Sequence, residues 1–84
     1  MKIYLDRIDY DNNGEIIATF ELDEDFVRIK GSQMPNGFAE TLVPNAVVEC
    51  EISDGLMRNP KMLLEETKLR EEKMRGKLKS LFEK

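Results

Sequence analysis

The sequence predicts an α+β fold: a small antiparallel β-barrel or rolled sheet of four to five strands, followed by one long C-terminal α-helix. Three observations predict it. Over residues 2–58, strand-forming residues gather in short runs, several with strict apolar–polar alternation. Turn chemistry separates the runs, as at Asn13-Gly14 and Asp54-Gly55. From Asn59 onward the apolar period becomes helical and the strand signals stop.

In chain order, residues 2–10 are rich in strand formers. Ile3 and Leu5 share one face while Ile8 has the opposite parity, which predicts a bulge near Asp6-Arg7. Asn13-Gly14 is a strong hairpin signal, because both residues tolerate positive φ. Residues 15–22 then alternate, with Ile16, Ala18, Phe20 and Leu22 on one face and Ile17, Thr19 and Glu21 on the other. Asp23-Glu24-Asp25 reads as a solvated turn, because adjacent carboxylates converge poorly on one ion.

Residues 26–30 form a third strand, and 31–37 (GSQMPNG) a loop. Residues 38–43 are compatible with one helical turn before Pro44. Residues 46–53 form a fourth strand, with Ala46, Val48, Cys50 and Ile52 on one face. Leu56, Met57 and Arg58 are expected to pair as a short fifth strand.

The predicted helix covers 59–84, with Asn59 as N-cap and Pro60 at the first helical position. Leu63, Leu64, Thr67, Met74, Leu78, Leu81 and Phe82 fall on one stripe. Glu66 with Arg70, Lys68 with Glu72 and Glu71 with Arg75 have the i,i+4 spacing of helix ion pairs. Polar Thr67 and Glu71 break any coiled-coil seam. The expected role of the stripe is to cover the strands.

The chain has 84 residues, which is the scale of one domain (1–84, divided into a β part at 1–58 and a helix at 59–84). Its net charge of −4 is unevenly placed. Residues 1–59 carry five basic and twelve acidic side chains, net −7, whereas residues 60–84 carry eight basic and five acidic, net +3. The division predicts either a helix lying on its own acidic body or a basic face offered to an acidic partner. A single cysteine precludes an intramolecular disulfide. Short apolar runs and a charged N-terminal stretch give no membrane span or signal peptide, so a cytoplasmic protein is the expectation.

Candidate chemistry is sparse. Asp9-x-Asp11-x-Asn13-Gly14-x-Ile16 matches the first eight positions of an EF-hand loop. Position twelve, where a bidentate glutamate belongs, is Phe20, so Asp9, Asp11 and Asn13 are a weak calcium candidate and a polar turn is the better reading. Cys50 shares its strand face with Val48 and Ile52 and reads as a buried structural thiol. The chain has no histidine, which removes the usual general base and the commonest zinc ligand.

The sequence therefore points to no catalytic residue, no cofactor and no metal. Nucleic-acid binding is disfavoured by the net −7 of the strand region, whose aromatic residues are not interleaved with lysine or arginine in a patterned way. It remains the alternative class, as a small barrel binding single strands. Leu56, Met57, Met62 and Leu69 are the candidate protein contacts, unless they complete the core.

Several residues in order resemble a bacterial family known as domain of unknown function 3006. They are Asp6-Arg7-Ile8, the alternating second strand, Met34-Pro35, Val47-Val48, Asp54-Gly55, Glu66-Thr67 with Arg70, and Leu81-Phe82. The chain departs from the pattern at Val43-Pro44-Asn45, where a Gly-containing turn is usual. The resemblance implies a small β-barrel with a C-terminal helix. It also implies an accessory role beside a metallo-β-lactamase-fold hydrolase of the competence type, with no catalytic residue to carry over. The combined expectation is a non-enzymatic interaction module with a protein partner, and a homodimer through the C-terminal helix as a further possibility.

Overall fold

The computed structural model describes residues 1–82, with side chains through residue 76. Five strands form one antiparallel sheet: β1 (Lys2–Tyr10), β2 (Ile16–Leu22), β3 (Asp25–Lys30), β4 (Val47–Ser53) and β5 (Leu56–Met62). They are followed by helix α1 (Leu64–Phe82). The strand order is β3-β2-β1-β4-β5, so β3 and β5 are edges and no barrel closes. Of the two forms expected, only the open sheet is present.

Local chemistry sets the hairpins. At the β1–β2 turn only Gly14 has positive φ (79°), while Asp11 N–H donates to the Glu15 carbonyl at 3.0 Å. The Asn-Gly signal therefore marks the right place, but Asn13 does not share the left-handed geometry. Asp54 (φ 53°) and Gly55 (φ 77°) both do, as a tight hairpin turn requires. The expected bulge in β1 occurs where the register shifts between Leu5 and Arg7. It rotates Ile8 onto the face that Leu5 occupies, opposite Ala18.

One sheet face carries the core. Ile3, Leu5, Ala18, Phe20, Ile29, Val48, Cys50 and Met57 are buried together. The segment between β3 and β4 covers them through Met34, Phe38, Ala39, Leu42 and Ala46. Short 3-10 turns at Gly31–Gln33 and Ala39–Thr41 give this segment its shape. Asn45 has φ 65°, so it supplies the left-handed residue of the Val43-Pro44-Asn45 approach to β4.

The helix differs from expectation in start and in role. Asn59 and Pro60 belong to β5 rather than capping α1. The β4–β5 register breaks between Glu49 and Glu51, which places Asn59 (φ 49°) and Pro60 at a bulge. An edge strand tolerates a proline there, because no ladder donor is required on the free side. Pairing of Met62 with Val48 packs Met62 against the core, which favours strand over helix through residue 62. Glu65 and Glu66 occupy the first turn, where their charge complements the helix dipole.

The described part of the expected apolar stripe is not a lid on the core. Thr67 is buried, but Leu64 and Met74 are exposed, and every described side chain from Glu72 onward is exposed. The side chains of Leu78, Leu81 and Phe82 lie outside the described residues. Among the described side chains, α1 meets the sheet through Glu66, Thr67 and Arg70 of its first turns, on the face opposite the core.

Candidate interaction surface

The outer face of the sheet is built from residues of the second parity: Lys2, Tyr4 and Arg7 on β1, Thr19 and Glu21 on β2, Phe26 and Arg28 on β3, and Val47 and Glu49 on β4. Most of this face is polar. Val47 and Thr19 are its buried exceptions. Val47 is buried where α1 begins, and both of its backbone groups serve to anchor the helix. Its N–H donates to Thr67 Oγ1 at 2.9 Å, and its carbonyl accepts from Leu63 N–H at 2.8 Å.

A second fastening lies one turn further on. Arg70 Nη1 donates to the Leu5 carbonyl at 2.8 Å, and its guanidinium lies 5.5 Å from the centroid of the Tyr4 ring. That carbonyl is available because the β1–β4 ladder ends at Tyr4 and Val47, while the Leu5 N–H on the same side donates to the Ala46 carbonyl at 2.8 Å. Lys2 Nζ meets Glu66 Oε1 at 2.7 Å, and this hydrogen bond and charge hold the lysine above its ordinary pKa. The sequence expectation was that Glu66 and Arg70 would pair with each other. Instead both turn to β1, because strand partners lie under that face of the helix. The Glu71–Arg75 pair does form, at 2.8 Å.

Between the helix and the outer face runs an open groove of about 420 Å³. Tyr4, Glu21 and Val47 form its floor, and Glu66, Leu69, Arg70 and Lys73 form its helical wall. Leu69 is 59% exposed. The groove thus offers an apolar side chain, an aromatic ring and two cationic groups, with Glu21 across from them and Glu66 already paired with Lys2.

The four predicted contact residues do not form one patch. Leu69 lies in the groove. Leu56 is exposed at the β4–β5 turn, opposite Ser53. Met57 is 3% exposed and Met62 packs against the core, so these two complete the interior. Tyr4, Glu21, Val47, Glu66, Arg70 and Lys73 are the groove residues that the sequence did not offer as contacts. The available signal was the parity of Tyr4 and Glu21, which sets them on the face away from Phe20.

The calcium candidate is put to other use. Asp11 Oδ1 accepts from Asn13 N–H at 2.8 Å and from Glu15 N–H at 2.9 Å, closing the turn as an Asx motif. Asp9 Oδ2 lies 3.2 Å from Arg7 Nε. Among the described residues no group of three His, Cys, Asp or Glu is placed to hold a metal. Cys50 is buried in the core, and burial pushes its thiol pKa up, which disfavours the reactive thiolate. Glu15 Oε1 accepts from Ser32 N–H at 2.8 Å, and hydrogen bonds from Ser32 hold its carboxyl below the ordinary range.

No helix of the described residues is long and apolar enough to cross a membrane. Comparison with family models, curated proteins and solved structures finds no match to this chain. Its class is set by architecture alone: an α+β domain with an open five-stranded antiparallel sheet and one C-terminal helix.

Proposed function

We propose that the protein is a non-enzymatic interaction module that binds a protein partner in the groove between α1 and the outer sheet face. One observation carries this reading: Leu69 stands exposed beside Tyr4, Arg70 and Lys73, on a helix whose first turns are fixed to β1 and β4. Exposed apolar area framed by arranged charge is the mark of a contact site, and anchoring the wall reduces the entropy lost on binding. From the resemblance in sequence, the partner we propose is a metallo-β-lactamase-fold hydrolase of the competence type, which the module would assist. Co-purification with such a hydrolase tests the reading. Leu69→Asp is expected to abolish co-purification while leaving the far-ultraviolet circular dichroism unchanged. Undiminished capture by the Leu69→Asp variant would contradict it.

A second reading, single-stranded nucleic-acid binding, is favoured by a specific feature of the outer face. Aromatic and basic residues of β1 and β3 share that face. Phe26 shares the face with Arg28, and Arg28 and Arg7 lie on either side of Thr19. Such a surface would bind a short oligonucleotide by stacking and by phosphate contact, with affinity falling steeply as salt rises. Fluorescence anisotropy with a labelled single strand at low salt measures this. Absence of binding at high micromolar protein removes the second reading.

A further inference from the structure

The two edges of the sheet are unlike. The β5 edge is interrupted by the bulge at Asn59 and by Pro60, which cannot donate. Both are devices that discourage a further strand from adding. The β3 edge has neither. Its register with β2 runs unbroken from Asp25 to Lys30, and it contains no proline.

The direction of its free backbone groups follows from one hydrogen bond. Lys30 N–H donates to Gln33 Oε1 at 2.9 Å, so it points away from β2. Alternation along a strand then turns the N–H and C=O of Phe26 and Arg28 outward as well, while those of Val27 and Ile29 face β2. No turn or loop backbone bond among the described residues uses Phe26 or Arg28. The side chains of both residues are exposed, Phe26 at 61%.

We infer that this edge pairs with the same edge of a second copy of the chain, antiparallel about a two-fold axis through Val27. The charge pattern of the strand favours this occupant. In that register Phe26 of one copy lies opposite Arg28 of the other, twice over by symmetry, and each such pair exchanges both N–H···O bonds. The outward-facing groups are those of Phe26 and Arg28, as the register requires. The side chains of each pair bring a guanidinium beside an aromatic ring on the same face.

At both ends of the paired segment Glu24 meets Lys30 of the other copy, which joins opposite charges. A register shifted so that Arg28 met Arg28 would juxtapose like charges. The opposite shift would carry the pairing past Glu24 to Asp23 and Leu22, and Leu22 is already paired with Asp25 in the β2–β3 hairpin. The edge is thus self-complementary in one register. The product is a continuous sheet with five strands from each copy and both helix grooves on the same side. The inference stands apart from the groove reading, because β3 contributes no residue to the groove.

Sedimentation equilibrium of the full chain, from micromolar to about millimolar, tests the inference together with amide exchange and a charge swap. The expected result is a reversible dimer in which Phe26 and Arg28 amides exchange more slowly as concentration rises, while Val27 is insensitive. Lys30→Glu is expected to weaken the dimer by about tenfold or more, and adding Glu24→Lys to it should restore most of the loss. Both positions are exposed, so circular dichroism should report an intact fold in each variant. A monomer at every concentration overturns the inference. So does a dimer indifferent to Lys30→Glu, loss without rescue by the double swap, or a dimer that leaves Phe26 and Arg28 exchange unchanged.

Discussion

Replacing Phe20 with alanine is expected to eliminate the cooperative unfolding transition of this domain at room temperature. Phe20 has no exposure at all and is among the largest fully buried side chains. It sits mid-strand on β2, opposite Leu5 on one side and Val27 on the other. Truncation removes its transfer free energy and leaves a cavity that antiparallel neighbours on both sides cannot close, a loss of about 3–5 kcal/mol. A domain of this size has a net stability of the order of 5 kcal/mol, so the loss takes most of it.

Phe26 on the neighbouring strand is the internal control. It is mostly exposed, and Phe26→Ala should change stability by no more than about 0.5 kcal/mol. Urea titrations followed by circular dichroism compare the two. Equal midpoints for the Phe20 and Phe26 variants would contradict the assignment of the core to this face.

The second large effect is expected at Thr67, where one hydroxyl joins helix to sheet. Thr67→Val keeps the volume and the β-branch but removes the acceptor for Val47 N–H, in a place that water does not reach. A buried donor without a partner costs about 1–3 kcal/mol. Leu63 N–H still holds the Val47 carbonyl, so the strand remains attached on that side. The expected phenotype is a lowered denaturant midpoint with faster exchange at the Val47 amide. Thr67→Ser retains the oxygen and should recover most of the loss. Wild-type stability and unchanged Val47 exchange in Thr67→Val would show that the hydroxyl does not fasten the helix.

Much of the sheet is legible in the sequence, because period-two alternation and turn chemistry are local. The parity of Ile16, Ala18, Phe20 and Leu22 identifies the core side of β2, and the parity break at Ile8 identifies the bulge in β1. What is not legible depends on competition between distant partners. Asn59-Pro60 has the chemistry of a helix start, yet Val48 is available to pair with Met62, and packing of Met62 against the core draws the chain into β5.

Likewise, the helical stripe invites a role in covering the core, but Met34, Phe38 and Leu42 already fill that place. Displaced to the other face, the helix finds Val47 instead. The groove was hidden for the same reason: Tyr4, Glu21 and Lys73 are far apart in sequence and become neighbours only through strand register and the position of α1. Strand register also brings Arg7 of β1 to the face that Phe26 and Arg28 share on β3, across Thr19.

Residue-resolved NMR of the chain during titration with the hydrolase tests the central claim most directly. The account predicts shift changes concentrated at Tyr4, Glu21, Leu69 and Lys73, with the segment from Met34 to Leu42 on the opposite face unaffected. Changes confined to that opposite segment, or none at saturating hydrolase, would contradict the claim that the helix–sheet groove is the binding surface.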